Sequence, residues 1–315
     1  MSDSTKHSCW CGNARLEPFN ADYRRCLSCE TLVYAGDIAA PDARVRDDAS
    51  DFYGHRYWNH HQRDTSGYPD IHTRLRTDLP ERCAYWLNAL LDYKLPPAKV
   101  LELGSAHGGF VAILRQAGFD ATGLDLSPHI VELARKTFDV PMLLGPVEDQ
   151  QIEPASLDII VMMDVLEHLP DPLGTMRHCM TLLKPDGLLM IQTPCYPAGK
   201  SLEQIRAGDD RFTIQLRPAE HMNLLSQKAA AKLMWKIGAK HFEFLDPIFW
   251  FYDMFFIASR EPLKRTTRDA RDKALGATPS RRMVQAILDG EDRFRELLNK
   301  HRELLAETKQ LRMTA

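Results

Sequence analysis

The chain predicts a doubly wound α/β domain on a mostly parallel sheet, and three observations carry that expectation. Strand-like apolar runs alternate with segments of helical period between residues 99 and 193. The first run, Val100 to Leu103, ends in a glycine-rich turn, Gly104-Ser-Ala-His-Gly-Gly109, and a helical pattern begins at once. An acid, Asp125, then closes the next apolar run 21 residues after Gly104. Strand, tight turn, helix and acid at that spacing make one half of a dinucleotide-type α/β fold.

Each element follows from its own pattern. Strands are expected over 99–103, 121–126, 142–145, 157–163 and 188–193, and helices over 109–116, 128–137 and 175–183. A further helix is expected at 227–237, with strands at 242–245 and 254–259. The turn alone is ambiguous, because Gly104-x-Ala106-x-x-Gly109 also satisfies a relaxed nicotinamide fingerprint. Glu102 tips the choice. It falls at the carboxyl end of its strand, facing the crevice, where dinucleotide binders usually carry an apolar residue.

The whole chain sets the bounds. Its 315 residues, 44% hydrophobic and 26% charged, can bury one good core plus appendages. A formal net charge of -3 gives no global pull toward nucleic acid, so none is expected as a partner. There is no apolar run of membrane-spanning length and no signal-like start, which leads to the expectation of a cytoplasmic protein. Seven cysteines, an odd and unevenly spread number, suit thiols or metal ligands better than disulfides.

Four of them cluster as Cys9-x-Cys11, fourteen residues, then Cys26-x-x-Cys29. Two short pairs joined by such a loop can turn four thiolates onto one tetrahedral ion, and zinc is the metal that suits them. A segment this short has little core, so the metal would supply its stability, in a closed structural site. The first gap is tighter than usual, which leaves His7 as a weak substitute ligand. Cys83 and Cys179 read as small core residues, whereas Cys195, after Pro194, is expected to line the crevice.

Four modules result: a zinc-ribbon-like segment over 1–40, a helical lid and linker over 41–96, the α/β domain over 97–260, and a basic linker with an amphipathic helix over 261–315. The lid carries the ring-rich stretch Phe52-Tyr-Gly-His-Arg-Tyr-Trp-Asn-His-His61, and Tyr53, Tyr57 and His61 suit a cover over a ligand or packing on the domain equally well. Residues 260–282 hold eight basic and three acidic side chains, as a solvated linker or a contact to an anionic membrane surface would. Beyond them Met283, Ile287, Phe294, Leu297, Leu298, Leu304, Leu305 and Leu311 mark one helical face, expected to self-associate or to pack back on the core.

Two further motifs complete the set. Leu157-Asp-Ile-Ile-Val-Met-Met-Asp164 runs into the acid-rich turn Val-Leu-Glu-His168, and Leu183-Lys-Pro-Asp-Gly187 precedes another buried run to Pro194. In that order and near that spacing, these segments and the two above resemble the class I S-adenosylmethionine-dependent methyltransferases. The resemblance covers roughly residues 98 to 258. It implies a Rossmann-like sheet of seven strands whose last pair brings the one antiparallel strand. The amino-terminal ribbon is similar to zinc segments found ahead of some sugar and natural-product methyltransferases.

The resemblance also implies a cofactor site. S-adenosylmethionine would lie on Gly104, Ser105, Ala106 and Gly108, with Glu102 in the crevice, Asp125 on the ribose hydroxyls and Leu126 on the adenine. Glu148, with Asp149 as understudy, would meet the adenine amino group, and Asp164 with Val165 would face the methionine portion. Transfer to a hydroxyl needs a base, and imidazole suits that task near neutral pH. His221, in Glu220-His-Met-Asn-Leu-Leu-Ser226, is favoured, with His168 as a second base or positioning group. Glu167 with these histidines could also hold a divalent ion.

The acceptor is less defined. A long insertion over 196–219, with Lys200, Arg206, Asp209, Asp210, Arg211 and Arg217, suits a polar acceptor and lacks the rings expected of a flat-ring pocket. O-methylation of a sugar, a polysaccharide terminus or another polar small molecule is therefore expected. The alternatives are C- or N-methylation of a nucleotide-linked sugar or metabolite, and a catalytically idle scaffold.

Overall fold

The computed structural model describes residues 8–36, 45–48, 51–55, 57–61, 67, 69–208, 211–218, 220–249 and 252–314. His7, Asp209, Asp210 and, in the predicted ribbon and lid, residues 37–44, 49, 50 and 62–66 lie outside the described residues, as does the side chain of Leu311.

The ribbon is a three-stranded meander, β1 (Leu16–Pro18), β2 (Tyr23–Cys26) and β3 (Leu32–Tyr34). Next come helices α1 (Ile71–Asp78) and α2 (Ala84–Leu91), joined by a π-helical turn at Leu79–Cys83. The domain then alternates β4 (Lys99–Leu103), α3 (Gly109–Ala117), β5 (Asp120–Asp125), α4 (Pro128–Phe138), β6 (Met142–Leu144), β7 (Leu157–Met163), α5 (Pro172–Leu182) and β8 (Leu183–Pro194). Short helix α6 (Leu202–Ala207), two-residue strand β9 (Asn223–Leu224) and α7 (Gln227–Ile237) lead to β10 (His241–Leu245) and β11 (Asp253–Ser259). Helices α8 (Arg268–Leu275) and α9 (Pro279–Thr314) end the chain.

Seven strands form the main sheet in the order β10-β11-β8-β7-β4-β5-β6. Only β11 runs against its neighbours, β8 and β10, while β4 to β8 pair in parallel. The doubly wound expectation therefore holds, including the single reversed strand. Parallel strands need helices on both faces, and the sequence supplies apolar residues for both. Every residue of β7 is buried. In β4, Val100 joins a core shared with α2, α3, Val284 and Leu288, whereas Leu101 and Leu103 join one shared with α5 and α7.

Two regions depart from the linker and tail that the sequence suggests. The basic stretch after Arg260 is ordered: Thr267 caps α8 on the Ala270 N–H, Leu275 is buried, and Arg265 lies 4.2 Å over the Tyr93 ring. Helix α9 seats on the body through Val284 and Leu288, residues outside the predicted stripe. Among the described residues no helix is long and apolar enough to cross a membrane.

The ribbon is not an independent appendage. Its β3 pairs antiparallel with β9, Leu32 opposite Leu224 and Val33 opposite Asn223, which makes a four-stranded sheet in the order β1-β2-β3-β9. Cys9, Trp10, Cys26 and Cys29 share a core with α7 residues Ala229 and Leu233.

Candidate active site

The carboxyl ends of β4, β5, β7 and β8 open onto a cavity of about 420 Å³, a size suited to a small ligand. Gly104 turns at φ 63°, where a Cβ would come within 2.5 Å of Val165 Cγ2, so no side chain can stand there. Ala106, at φ 47°, aims its N–H at Asp125 Oδ2 (3.0 Å), and the Ser127 N–H reaches Oδ1 (3.0 Å). Burial pushes Asp125 up to about 6 against these backbone donors. Ser105 is buried and donates through Oγ to the Leu124 carbonyl. Glu102 is buried on the same wall, and its Oε2 has no hydrogen-bond partner among the described residues. Burial, with Asp125 adding, holds its carboxyl well above the usual range.

Leu126, Glu148, Asp164 and Val165 also line the cavity. Glu148 stands at the exposed rim and accepts from Thr175 Oγ1. Asp164, at φ 58°, accepts from Gln192 Nε2 at 3.2 Å. Gly108 is not on the wall. A Cβ there would meet Ala134 and Val140, so its smallness serves the packing of α3 on α4 rather than a close approach to a ligand.

The opposite wall comes from distant segments. The His221 Nδ1 lies 2.8 Å from the Gln215 carbonyl, and the His168 Nδ1 lies 3.0 Å from that of Glu220. A carbonyl can only accept, so each Nδ1 carries the proton and each Nε2 keeps its lone pair. The two rings meet edge to face, centroids 4.9 Å apart. Burial lowers both pKa values, that of His221 well below the usual range, so both are neutral at pH 7. Glu167 is buried beneath them, accepts from Thr193 Oγ1 (3.0 Å), and is pushed up by burial and by Asp164. Glu167, His168 and His221 each offer an atom within 4.8 Å of the others, close enough to share one ion.

Buried Glu220 gathers this wall. Its carboxylate accepts from Tyr57 Oη (3.3 Å) and lies 3.1 Å from His61 Nε2 and 3.4 Å from Arg217 Nη1. Burial alone would raise it, yet His168, His61 and Arg217 prevail and hold it below its ordinary value. Tyr53 Oη stands 3.3 Å from His168 Nδ1. The backbone is tied as well: Met222 N–H donates to the Glu167 carbonyl (2.7 Å), Tyr34 N–H to Met222 O (3.0 Å), and Tyr23 Oη to His221 O (3.0 Å). The ribbon thus clamps the segment that carries His221.

The four ribbon cysteines converge. Their sulfurs all lie within 4.8 Å of one another, with Cys9 to Cys29 at 3.4 Å and Cys11 to Cys26 at 3.6 Å. Four thiolates about 2.3 Å from a tetrahedral zinc would stand at about that separation. Asn13 Nδ2 and the Ser28 N–H point at Cys26 Sγ, both at 3.4 Å, as donors to a thiolate do. The donor set fits a zinc ion.

Several residues of the cavity wall escape the sequence reading. Asp78 accepts from Arg74 Nε (3.0 Å), pairs with His107 Nε2 (3.0 Å) and faces Arg82 Nε (3.8 Å). Burial opposes its charge, but these three partners lower it to about 2. Arg82 also reaches Asp164 (3.6 Å) and lies 4.8 Å over the Phe249 ring. The i, i+4 spacing of Arg74, Asp78 and Arg82 was the signal available for this network. Cys195 and Tyr196 are absent from the cavity wall. Cys195 packs toward the core of α7 and the ribbon, and Tyr196 is buried between Phe19 and Phe212. Of the insertion's charges, Lys200, Arg206 and Arg211 are exposed and off the wall, while Arg217 is on it. The rings missing from the insertion are supplied elsewhere, by Tyr53, Tyr57, Trp58, Trp86, Phe249 and Tyr252.

Comparison with known proteins fixes the family. Residues 75–242, more than half of the chain, match the methyltransferase-domain family model. The ubiquinone biosynthesis O-methyltransferase of Xanthomonas campestris pv. campestris (strain B100) is 34% identical over 148 residues, 43% of this chain and 62% of that protein. Its namesake from Xylella fastidiosa (strain 9a5c) is 34% identical over 141 residues, 41% of this chain and 55% of that one. The chain thus matches less than two thirds of the length of these relatives. A SAM-dependent methyltransferase structure from Archaeoglobus fulgidus is 14% identical, covering 57% of this chain and 93% of that one at a TM-score of 0.45. The cavity suits the cofactor that the family requires. Gly104 leaves space where a side chain would collide, Glu102 Oε2 awaits a partner, and a carboxylate's four or so acceptor positions leave Asp125 able to take a hydroxyl beside its backbone donors. Family match, strand order and glycine turn together make this chain a class I S-adenosylmethionine-dependent methyltransferase.

Proposed function

We propose that the chain transfers a methyl group to a hydroxyl of a ring-shaped small molecule, with His221 as the general base and His168 beside it. The observation that carries this is the pair of neutral imidazoles, pinned through Nδ1–H by backbone carbonyls, on the cavity wall. The cofactor supplies an activated methyl on sulfonium. Asp125, Glu102 and Leu126 would hold its nucleoside end, and Arg82 and Asp164 its amino-acid end. His221 Nε2, which keeps its lone pair, would take the proton that the acceptor hydroxyl gives up on methylation. Alignment provides most of the remaining rate, and Glu220 serves it by binding the 53–61 segment to the wall of His168.

For the acceptor, the aromatic wall and the relatives' names favour a hydroxylated flat ring. A second reading, the hydroxyl of a sugar or polysaccharide terminus, is favoured by buried Glu167, Glu220 and Asp253, which would accept several hydroxyl hydrogens. Zinc in the ribbon is structural in either case. Calorimetry with S-adenosylhomocysteine, then transfer to a catechol and to free sugars with the product read by NMR, tests this reading. A methoxyl carbon on the catechol is expected. No cofactor binding, or a methyl found on carbon or nitrogen, overturns it.

A further inference from the structure

Helix α9 has two unlike faces. One is seated: Val284 and Leu288 are buried, Asn88 donates to Glu291 and Asp292, and Arg295 lies 4.3 Å over the Tyr85 ring. The other is bare. Met283, Ile287, Phe294, Leu297 and Leu304 are 48 to 70% exposed. With positions 290, 301, 308 and 311 they fall on an unbroken alternation of four and three residues from 283 to 311. That is the 3.5-residue repeat of a coiled-coil seam rather than the 3.6-residue drift of a helix lying on a globular core.

We propose that this seam docks a second copy of the chain, α9 against α9, in antiparallel orientation. The charge pattern selects the occupant. Between residues 289 and 315 six basic and six acidic side chains cancel, which gives no net attraction for an anionic membrane or a nucleic acid and suits a surface complementary to itself. The register follows from the flanks. When His301 packs on Leu304 of the second copy, Leu297 meets Thr308. Leu298 then faces Leu305, twice by symmetry. A parallel pair would stack His301 on its own copy and set Lys300 against Leu305.

Light scattering after size exclusion tests this on the full chain. The wild type is expected at twice the chain mass of 36.0 kDa. The double variant L297E/L304E is expected at the single mass with unchanged S-adenosylhomocysteine affinity, because both residues lie off the cavity wall. L298E should weaken the dimer by roughly tenfold, and L298E/L305K should restore it, with helix content followed by circular dichroism. L298E distinguishes the two orientations, since in a parallel pair it would attract Arg293. A wild type of single mass, a persistent dimer in L297E/L304E, or failure of L298E/L305K to restore the dimer would overturn the proposal.

Discussion

The two walls of the cavity are built in opposite ways. The wall proposed for the cofactor uses short stretches, one per strand end, whose turn geometry is written locally in Gly104, Ala106 and Asp125. The wall proposed for the acceptor is assembled across the chain: Tyr53 reaches His168 over 115 residues, His61 reaches Glu220 over 159, and Tyr23 reaches the His221 carbonyl over 198. A wall made of local turns can be shared by a whole family, while one made of long-range ties is free to vary with the acceptor.

This contrast is open to breakage. His221→Ala removes the proposed base without touching the cofactor wall. Turnover should fall by about 10²- to 10⁴-fold with calorimetric affinity for S-adenosylhomocysteine unchanged. Equal losses in both would show that the walls are not separable. Stripping metal from the ribbon with a chelator comes next. The clamp from Tyr23 and Tyr34 onto His221 and Met222 should slacken, with turnover down roughly tenfold, a lower melting temperature, and cofactor affinity within about twofold. Turnover that survives metal loss would sever the ribbon from the acceptor wall.

The smallest effect concerns the cofactor wall alone. Burial raises Asp125 to about 6, so ionising it in the free protein costs stability as pH rises from the unfolded value of 3.8 toward 6. Ribose hydroxyls need the ionised form, so cofactor affinity should weaken as pH falls through 6, by at most about tenfold per unit. Calorimetry between pH 5 and 8 reads it, and a flat profile would show that Asp125 does not bind the ribose.

Legibility followed the same divide. Strand and helix alternation, the reversed β11 and the turn at Gly104 could be read because each depends on neighbours in sequence or on a repeated family pattern. His221 and Cys9, Cys11, Cys26 and Cys29 could be singled out by residue type and spacing, and the structure brings the cysteines together. The Glu220 hub could not, since Tyr57 and His61 stand 163 and 159 residues from it in sequence, nor could the rings of the wall, which come from segments on either side of the 196–219 insertion. Gly108 shows a subtler limit. Its residue type was informative, but packing on Ala134 rather than ligand approach explains it.

The pairing of β3 with β9 has a consequence for how the chain is made. The ribbon emerges from the ribosome well before the strand that covers its edge, which is completed only at Leu224. For some two hundred residues of synthesis a metal-loaded hairpin would present an open β edge, the kind of surface that invites foreign strands. Early metal capture would then act as a holding step, keeping the ribbon in shape until its late partner arrives.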